Sequence, residues 1–171
     1  MSAWAPRLLP CPPERLDEMF RLRLTVWLGE GADPAAFPEG QWRDASDLKR
    51  RHWIVINDDR VVATASLSIH DSFADVEEGD VYVRAGLTTA GLVAAPARVA
   101  LSGECRGRGV AQDLLDVQDT TAREAGAAIA VRQASPAMRR LLERRGWREH
   151  GPGPDDPRFP GVLFTVMSLA L

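Results

Sequence analysis

The sequence of 171 residues lacks the features that mark membrane and secreted proteins. No apolar run approaches the roughly 20 residues that a membrane-spanning helix needs. Prolines and charges interrupt the first residues, so these do not form the apolar core of a secretory signal. We therefore expect a cytoplasmic protein that does not bind a membrane.

Cysteine and histidine are also scarce. The two cysteines, Cys11 and Cys105, and the three histidines have neither the spacing of a metal site nor that of a disulfide framework. The net charge of −3 and the lack of a dominant basic face disfavour nucleic-acid binding. We expect neither a metal nor a nucleic-acid partner.

The residues that are present fit one globular domain. Hydrophobic residues make up 45% of the chain and charged residues 26%, which is ordinary for a domain with a full core. Because a chain of this length is normally one domain, we assign residues 1–171 to a single domain. The acidic segment 71–80 fits a solvated loop, or a surface that attracts a cationic acceptor.

Apolar periodicity predicts a mixed series of helices and strands. A stripe at helical spacing after Pro12 and Pro13 predicts a first helix that ends near Gly29 or Gly31, and a short second helix fits within 33–51. A hairpin of 53–57 and 61–69 with one core face follows, and then an irregular segment 70–95 with a short strand at 81–83. Further strands are predicted at 97–101 and 127–132, with helices after 109 and 135. The start of a strand at 147–150 and a last strand at 162–171 complete the order.

This order of elements predicts a mixed α/β fold with a mostly antiparallel sheet and helices on both faces. Strands 97–101 and 127–132 are separated by one crossover helix, so we expect them to lie parallel.

The stretch 104-ECRGRGVAQDLL-115 combines a glycine-rich turn with the start of a helix. Such a turn leaves backbone N–H groups without partners and can bind a phosphate. A P-loop is excluded because no lysine follows Gly109, and a dinucleotide fingerprint is excluded because Gln112 stands where its third glycine is needed.

The same stretch contains R-x-x-G-x-A, formed by Arg106, Gly109 and Ala111. This resembles the acyl-CoA-binding signature of the GNAT superfamily of acyl-CoA-dependent N-acyltransferases. The resemblance extends to 98-RVALSGECRGRGVAQDLL-115, to 135-SPAMRRLLERRGW-147, and upstream to 60–69 and 21–27. It implies a GNAT-like fold in which strands 97–101 and 127–132 splay apart around the pantetheine arm.

The resemblance implies acetyl-CoA, or another acyl-CoA, as cosubstrate. The backbone amides around Gly107, Gly109, Val110 and Ala111 would bind the pyrophosphate, and Arg106 and Arg108 would add positive charge. The resemblance further implies cofactor contacts from the main chain of Val99 and Leu101 and from the side chain of Ser135, which also fits a helix N-cap.

Many members of the family place a tyrosine acid in the second of these helices, where this sequence has Leu142. The single tyrosine, Tyr82, is a candidate acid, although it also fits a packing role. His70 is a candidate general base because the unperturbed pKa of histidine suits proton transfer. Cys105 fits a small packing residue.

These features predict the transfer of an acyl group, most simply acetyl, from acyl-CoA to an amino group of a small molecule or peptide by direct attack. The alternative is a non-catalytic acyl-CoA-binding or regulatory module on the same fold. A third hypothesis is a nucleotide-phosphate binder that uses the same turn. We expect a monomer or a homodimer.

Overall fold

The computed structural model describes residues 4–171, so residues 1–3 of the predicted domain lie outside the described range. The strands are β1 (Arg7–Pro10), β2 (Arg51–Asn57), β3 (Arg60–His70), β4 (Leu92–Leu101), β5 (Ala127–Ala134), β6 (Arg148–Pro152) and β7 (Thr165–Ala170). The helices are α1 (Leu16–Gly29), α2 (Asp80–Arg84), α3 (Val110–Glu124) and α4 (Pro136–Glu143). Short 3-10 turns cover Pro13–Arg15, Pro34–Ala36, Ala45–Lys49, Phe73–Asp75 and Gly103–Cys105.

The seven strands form a sheet in the order β1-β2-β3-β4-β5-β7-β6. Pairing is antiparallel between β1 and β2, between β5 and β7, and between β6 and β7. The pair β4 and β5 is parallel, with a register that runs from Leu92 opposite Ala127 to Ala94 opposite Ala130. The predicted mixed α/β fold, with a parallel strand pair in a mostly antiparallel sheet, is confirmed.

The chain divides into two compact units. Unit 1 comprises 1–66 and 97–118, of which the structure describes the residues from 4 onward, and unit 2 comprises 67–96 and 119–171. Each division falls inside a regular element: after Ser66 in β3, after Pro96 in β4 and after Gln118 in α3.

Unit 1 builds its core on one face of α1. Met19 and Phe20 pack with Ile54, Ile56 and Val61 from the hairpin of β2 and β3. These residues are almost fully buried, and each large apolar side chain that leaves water stabilises the fold by roughly 1.5–3 kcal/mol. Packing of its apolar face thus fixes α1.

A buried ion pair also anchors α1. Arg23 is 0% exposed, and its Nη1 donates to Asp47 Oδ1 at 2.9 Å and to Asp47 Oδ2 at 3.1 Å. Burial lowers the pKa of Arg23 to about 10, although Asp47 opposes this shift, so the guanidinium stays charged at neutral pH. Burial would raise the pKa of Asp47, but Arg23 and the backbone amide of Asp44 bring it below its usual value.

Unit 2 has a core of its own around α2. Tyr82, Val81 and Phe73 pack with Val93 and Val131 in a cluster of buried side chains. This cluster explains why α2 forms: Val81 and Tyr82 both face it, whereas Val83 is 57% exposed.

Several details differ from the sequence-based predictions. The predicted strand at 81–83 is wrong, because these residues belong to α2 and bury the side chains of Val81 and Tyr82. Strand β4 begins at Leu92, inside the segment predicted to be irregular. The last strand begins at Thr165 rather than at 162, and strand β1 was not predicted.

Strand β3 is buried on both faces from Val61 to Ser68, although strict alternation predicted one core face. The small polar side chains on its second face are buried with hydrogen-bond partners, as in Thr64, whose hydroxyl donates to the Trp53 carbonyl at 3.0 Å. The hairpin itself is confirmed, and its turn consists of Asp58 and Asp59 with φ of 49° and 58°. The segment 33–51 holds two 3-10 turns instead of a short α-helix.

In the part of the chain that is described, no helix is long and apolar enough to cross a membrane. Nor do residues 4–171 bring three or more histidine, cysteine or acidic side chains together as a metal-binding group.

The chain divides into two compact units, and the assignment of residues 1–171 to one domain stays a prediction. We expect a single cooperative unfolding transition, because separation of the units would break β3, β4 and α3 internally. Differential scanning calorimetry checks this: the calorimetric and van't Hoff enthalpies should agree. Two resolved transitions would contradict the single-domain prediction.

Candidate active site

The glycine-rich loop is anchored to β3 at a single carbonyl. At the end of β4, the amide of Ser102 donates to the Val62 carbonyl at 2.8 Å, and Cys105 Sγ donates to the same oxygen at 3.3 Å. A 3-10 turn lies between these anchors, closed by the Cys105 amide, which donates to the Ser102 carbonyl at 3.0 Å. Residues 102–105 thereby fix the position at which the glycine-rich loop leaves β4.

Two glycines give the loop its shape. Gly107 and Gly109 have φ of 68° and 78°, a region that favours glycine, and a Cβ at either position would meet no atom within 4 Å. The first hydrogen bond of α3 is donated by the amide of Asp113 to the Gly109 carbonyl at 3.1 Å. The amides of Val110 and Ala111 therefore have no acceptor within the helix and are available to an anion at the positive end of its dipole.

Both arginines of the loop are exposed, and one of them is held by an aromatic ring. The guanidinium carbon of Arg108 lies 4.5 Å from the centre of the Trp4 ring. The next residue, Ala5, donates its amide to Asn57 Oδ1 at 3.1 Å, which ties this segment to the end of β2. Arg106 has no such ring contact in the described residues, so Trp4 orients Arg108 in particular.

Two further side chains of the loop have structural roles. Cys105 is 2% exposed and burial raises its pKa, so its thiol is not a ready nucleophile at neutral pH. Glu104 forms an ion pair of 3.3 Å with Arg60, an exposed contact of small energetic weight.

Strand β4 bends just before the loop. Arg98 has a φ of 58°, in the left-handed region, although it lies inside the strand. Val99 is 9% exposed and Leu101 is half-buried, and both continue the strand beyond this bend toward Ser102. The predicted cofactor-binding residues Val99, Leu101 and 106–111 are thus all brought into one continuous segment of unit 1.

The other predicted site residues, His70, Tyr82 and Ser135, belong to unit 2. His70 is half-buried at the end of β3, and its Nε2 lies 2.7 Å from Ser68 Oγ. The two residues are two positions apart on one strand, so their side chains share a face. A histidine with a hydroxyl at this distance can accept or pass on a proton.

The structure confirms the N-cap role of Ser135. Its hydroxyl accepts a hydrogen bond from the Met138 amide at 3.4 Å at the start of α4, and Pro136 follows at the first helical position. Leu142, in the same helix, is 0% exposed.

The segment 71–80 combines exposed acidic residues with a packed centre. Phe73 and Val76 are buried, and Asp71, Asp75 and Glu77 are exposed. Glu78 Oε2 accepts a hydrogen bond of 2.7 Å from Gln133 Nε2. The buried side chains anchor the backbone of this segment, and its exposed acidic side chains give its surface a negative charge.

Residues 16–147 match the model of the acetyltransferase (GNAT) family. The chain belongs to the GNAT family. Membership supports acyl transfer, in general terms, as its activity. No curated protein sequence is significantly similar to this chain.

Several solved structures share this fold at low sequence identity. FeeM, an N-acyl amino acid synthase from uncultured soil microbes, superposes with a TM-score of 0.72 at 15% identity, over 98% of this chain and 92% of FeeM. A mutant of agmatine N-acetyltransferase in its apo form gives 0.69 at 13% identity, over 98% of this chain and 100% of that chain. A predicted acetyltransferase from Clostridium acetobutylicum, solved with acetyl-CoA, gives 0.63 at 16% identity, over 84% of this chain and 90% of that chain.

Several residues of this GNAT site were missed by the sequence reasoning. Trp4 gains its role from Arg108, whose position only the fold supplies. Ser68, in contrast, lies two positions before His70 and could have been identified from strand periodicity. Gln118 was missed as well: it is 1% exposed in the middle of α3 and bonds to β3 and β4. A buried glutamine in an otherwise apolar stripe was the one sequence signal that could have identified it.

Tyr82 is 4% exposed, and its ring lies 6.2 Å from that of Phe73 in the core of unit 2. We expect Tyr82→Ala to lower the free energy of unfolding by about 3–5 kcal/mol and Tyr82→Phe to lower it by about 1 kcal/mol. Urea denaturation measures both. Val83→Ala, on the exposed face of the same helix, is the matched control, and an equal loss in Val83→Ala and Tyr82→Ala would contradict a packing role.

Proposed function

We propose that this GNAT protein transfers an acetyl group from acetyl-CoA to the amino group of a small molecule or peptide. The observation that carries the proposal is the loop 102–111, which combines two positive-φ glycines, unpaired helix amides and two exposed arginines. The Clostridium acetobutylicum neighbour was solved with acetyl-CoA, and this supports the choice of cosubstrate. A cytoplasmic monomer or homodimer remains part of the proposal.

The donor set of the loop fits a pyrophosphate. The amides of Gly107, Gly109, Val110 and Ala111 would bind its oxygens, and the open space above both glycines allows close approach. Arg106 and Arg108 would neutralise its charge, and Trp4 holds Arg108 in place. Acetyl-CoA supplies the thioester, and the main chain of Val99 and Leu101 would orient the pantetheine arm.

The acceptor amine must lose a proton before it attacks the thioester carbonyl. We propose His70 as the general base, with Ser68 as its partner, because Ser68 Oγ lies 2.7 Å from His70 Nε2 and can relay the proton. The exposed carboxylates of 71–80 follow His70 directly and would attract an amine in its cationic form.

The second catalytic candidate, Tyr82, has weaker support. Its ring packs in a buried cluster, and we propose packing rather than acid catalysis for it. Leu142, at the position of the tyrosine acid in many GNAT members, offers no proton. The leaving thiolate would then be released directly or protonated by water.

We expect Gly109→Trp to abolish the saturable binding of CoA that wild type shows in isothermal titration calorimetry. A side chain at Gly109 would fill the space proposed for the pyrophosphate and would force a φ of 78° on a residue with a Cβ. Gly40→Trp is the matched control, since Gly40 has a φ of 69° and equally open space but lies outside the loop. Equal CoA affinity in Gly109→Trp and wild type would overturn the cofactor site.

We expect His70→Gln to lower kcat/KM by on the order of 100-fold or more in an assay of thiol release from acetyl-CoA over a panel of amines. The loss should shrink at high pH, where the amine deprotonates without help. Tyr82→Phe is the control and should stay near wild type. A tenfold loss in Tyr82→Phe with an intact fold would identify Tyr82 as the acid instead.

The same assay tests the non-catalytic alternative. A wild-type protein that binds CoA in calorimetry but releases no thiol with any amine would favour an acyl-CoA-binding module. Full competition by ATP or NAD against CoA would favour a nucleotide-phosphate binder.

A further inference from the structure

Strand β4 contains a backbone bend that needs external support. Arg98 has a φ of 58°, and a residue with a side chain rarely adopts this region inside a strand. Such a conformation costs free energy and persists only where the surrounding structure holds it, as is common at functional sites. The bend lies one residue before Val99, in the segment to which we assign the pantetheine arm.

Gln118 holds the peptide bond that precedes the bend. Its Nε2 donates to the Ala97 carbonyl at 3.2 Å and to the Ser66 carbonyl at 2.6 Å. Ser66 Oγ donates to the Ala97 carbonyl as well, at 3.2 Å. Both neighbours of Nε2 are carbonyl oxygens, so only a side chain with two N–H donors satisfies them together.

The other side of the bend is held by the Arg98 side chain. Its Nη2 donates to Asp44 Oδ2 at 2.7 Å, and its guanidinium carbon lies 4.5 Å from the centre of the Trp42 ring. The peptide of Ala97 and Arg98 is therefore fixed by Gln118 and Ser66 on one side and by Asp44 and Trp42 on the other.

The side-chain amide of Gln118 is satisfied at its nitrogen but not at its oxygen. Gln118 is 1% exposed, and its Oε1 is buried without a hydrogen-bond donor in the described part of the chain. A buried acceptor without a partner is destabilising, and this cost offsets part of what the two hydrogen bonds from Nε2 contribute. Local rules of this kind are expected to be broken at functional or strained sites.

We propose that Gln118 is a positioning residue of the acyl transfer. It fixes the bend at Ala97 and Arg98, so that the main chain from Val99 to Leu101 presents its polar groups to the acyl-pantetheine in one orientation. This inference rests on the proposed function, and it adds to it a side chain of α3 that acts through β4 and does not touch the substrate.

The central test compares Gln118→Met with wild type. Methionine has a similar length and no donor, so the variant keeps the packing of α3 and removes the hydrogen bonds that Nε2 donates to the Ala97 and Ser66 carbonyls. We expect kcat for acetyl transfer to fall on the order of 10- to 100-fold, because a misplaced reacting group costs about that much. KM for acetyl-CoA should stay close to wild type, since the loop keeps its own anchors on Val62.

Thr121→Val is the matched control, because Thr121 is also buried in α3, 8% exposed, but has no bond to the bend. Amide hydrogen exchange gives a readout that does not depend on activity. The peptide containing 97–101 should exchange faster in Gln118→Met and unchanged in Thr121→Val. Circular dichroism checks that each variant folds.

Gln118→Glu adds a test by pH. A protonated glutamic acid can donate to the Ser66 carbonyl 2.6 Å away, whereas an ionised one repels it. Burial raises the pKa of a carboxyl group, so the ratio of this variant's kcat to that of wild type should be highest at low pH and should fall as the pH rises. The corresponding ratio for Gln118→Met should not change with pH.

Wild-type kcat and wild-type exchange of 97–101 in Gln118→Met would overturn the positioning role and leave the proposed function intact. So would a Gln118→Met effect no larger than that of Thr121→Val. Failure of the proposed function is seen in wild type alone, as an absence of acetyl-CoA turnover, and it would remove the positioning role with it.

Discussion

The structure of unit 1 depends on the bend of β4 at Arg98. A chain of polar contacts starts at this bend: Arg98 binds Asp44, the Asp44 amide donates to Asp47 Oδ2 at 2.8 Å, and Asp47 binds the buried Arg23 of α1. Trp42 lies against both guanidinium groups, at 4.5 Å from Arg98 and 5.8 Å from Arg23. Helix α1 and strand β4 are thus joined by one largely buried polar network.

Such a network fixes the relative position of α1 and β4 more than it stabilises the fold. Replacement of a buried ion pair by apolar residues is often neutral or stabilising, whereas removal of one partner leaves an uncompensated charge that costs about 3–5 kcal/mol. Arg23 is 0% exposed, so its position in α1 is set by Asp47 as much as by apolar packing. A network of this kind favours one arrangement of α1 and β4, as the narrow geometry of a transfer reaction requires.

Local patterns in the sequence predicted the elements whose structure depends on residues close in sequence. Helix α1, the hairpin through Asp58 and Asp59, the cap at Ser135 and the loop at 106–111 all follow from spacing and turn residues. The bend at Arg98 was not predicted, because its supports come from Asp44, Ser66 and Gln118, which are distant in sequence. Helix α2 was mistaken for a strand because three residues are too short to show a period.

The same distinction applies to the residues proposed to function. The proposed phosphate-binding groups lie in one continuous segment, and the sequence motif contains nearly all of them. The base is a side chain outside that motif, and the proposed pair of His70 and Ser68 has no comparable sequence signature. A motif can therefore indicate the cosubstrate long before anything indicates the base.

The energetic requirements of acyl transfer show why Leu142 is compatible with catalysis. A thiol has a pKa of about 8.5, so its release as a thiolate at pH 7 costs only about 2 kcal/mol relative to the protonated product. An alkyl amine with a pKa of about 10.4 must lose a proton before it attacks, which costs about 5 kcal/mol at the same pH. Deprotonation of the amine therefore costs more free energy than release of the thiolate. The loss of the tyrosine acid therefore costs a GNAT protein less than the loss of a proton acceptor would. In this chain Leu142 is buried and offers no proton, and the pair of His70 and Ser68 that we propose as the base would supply the acceptor.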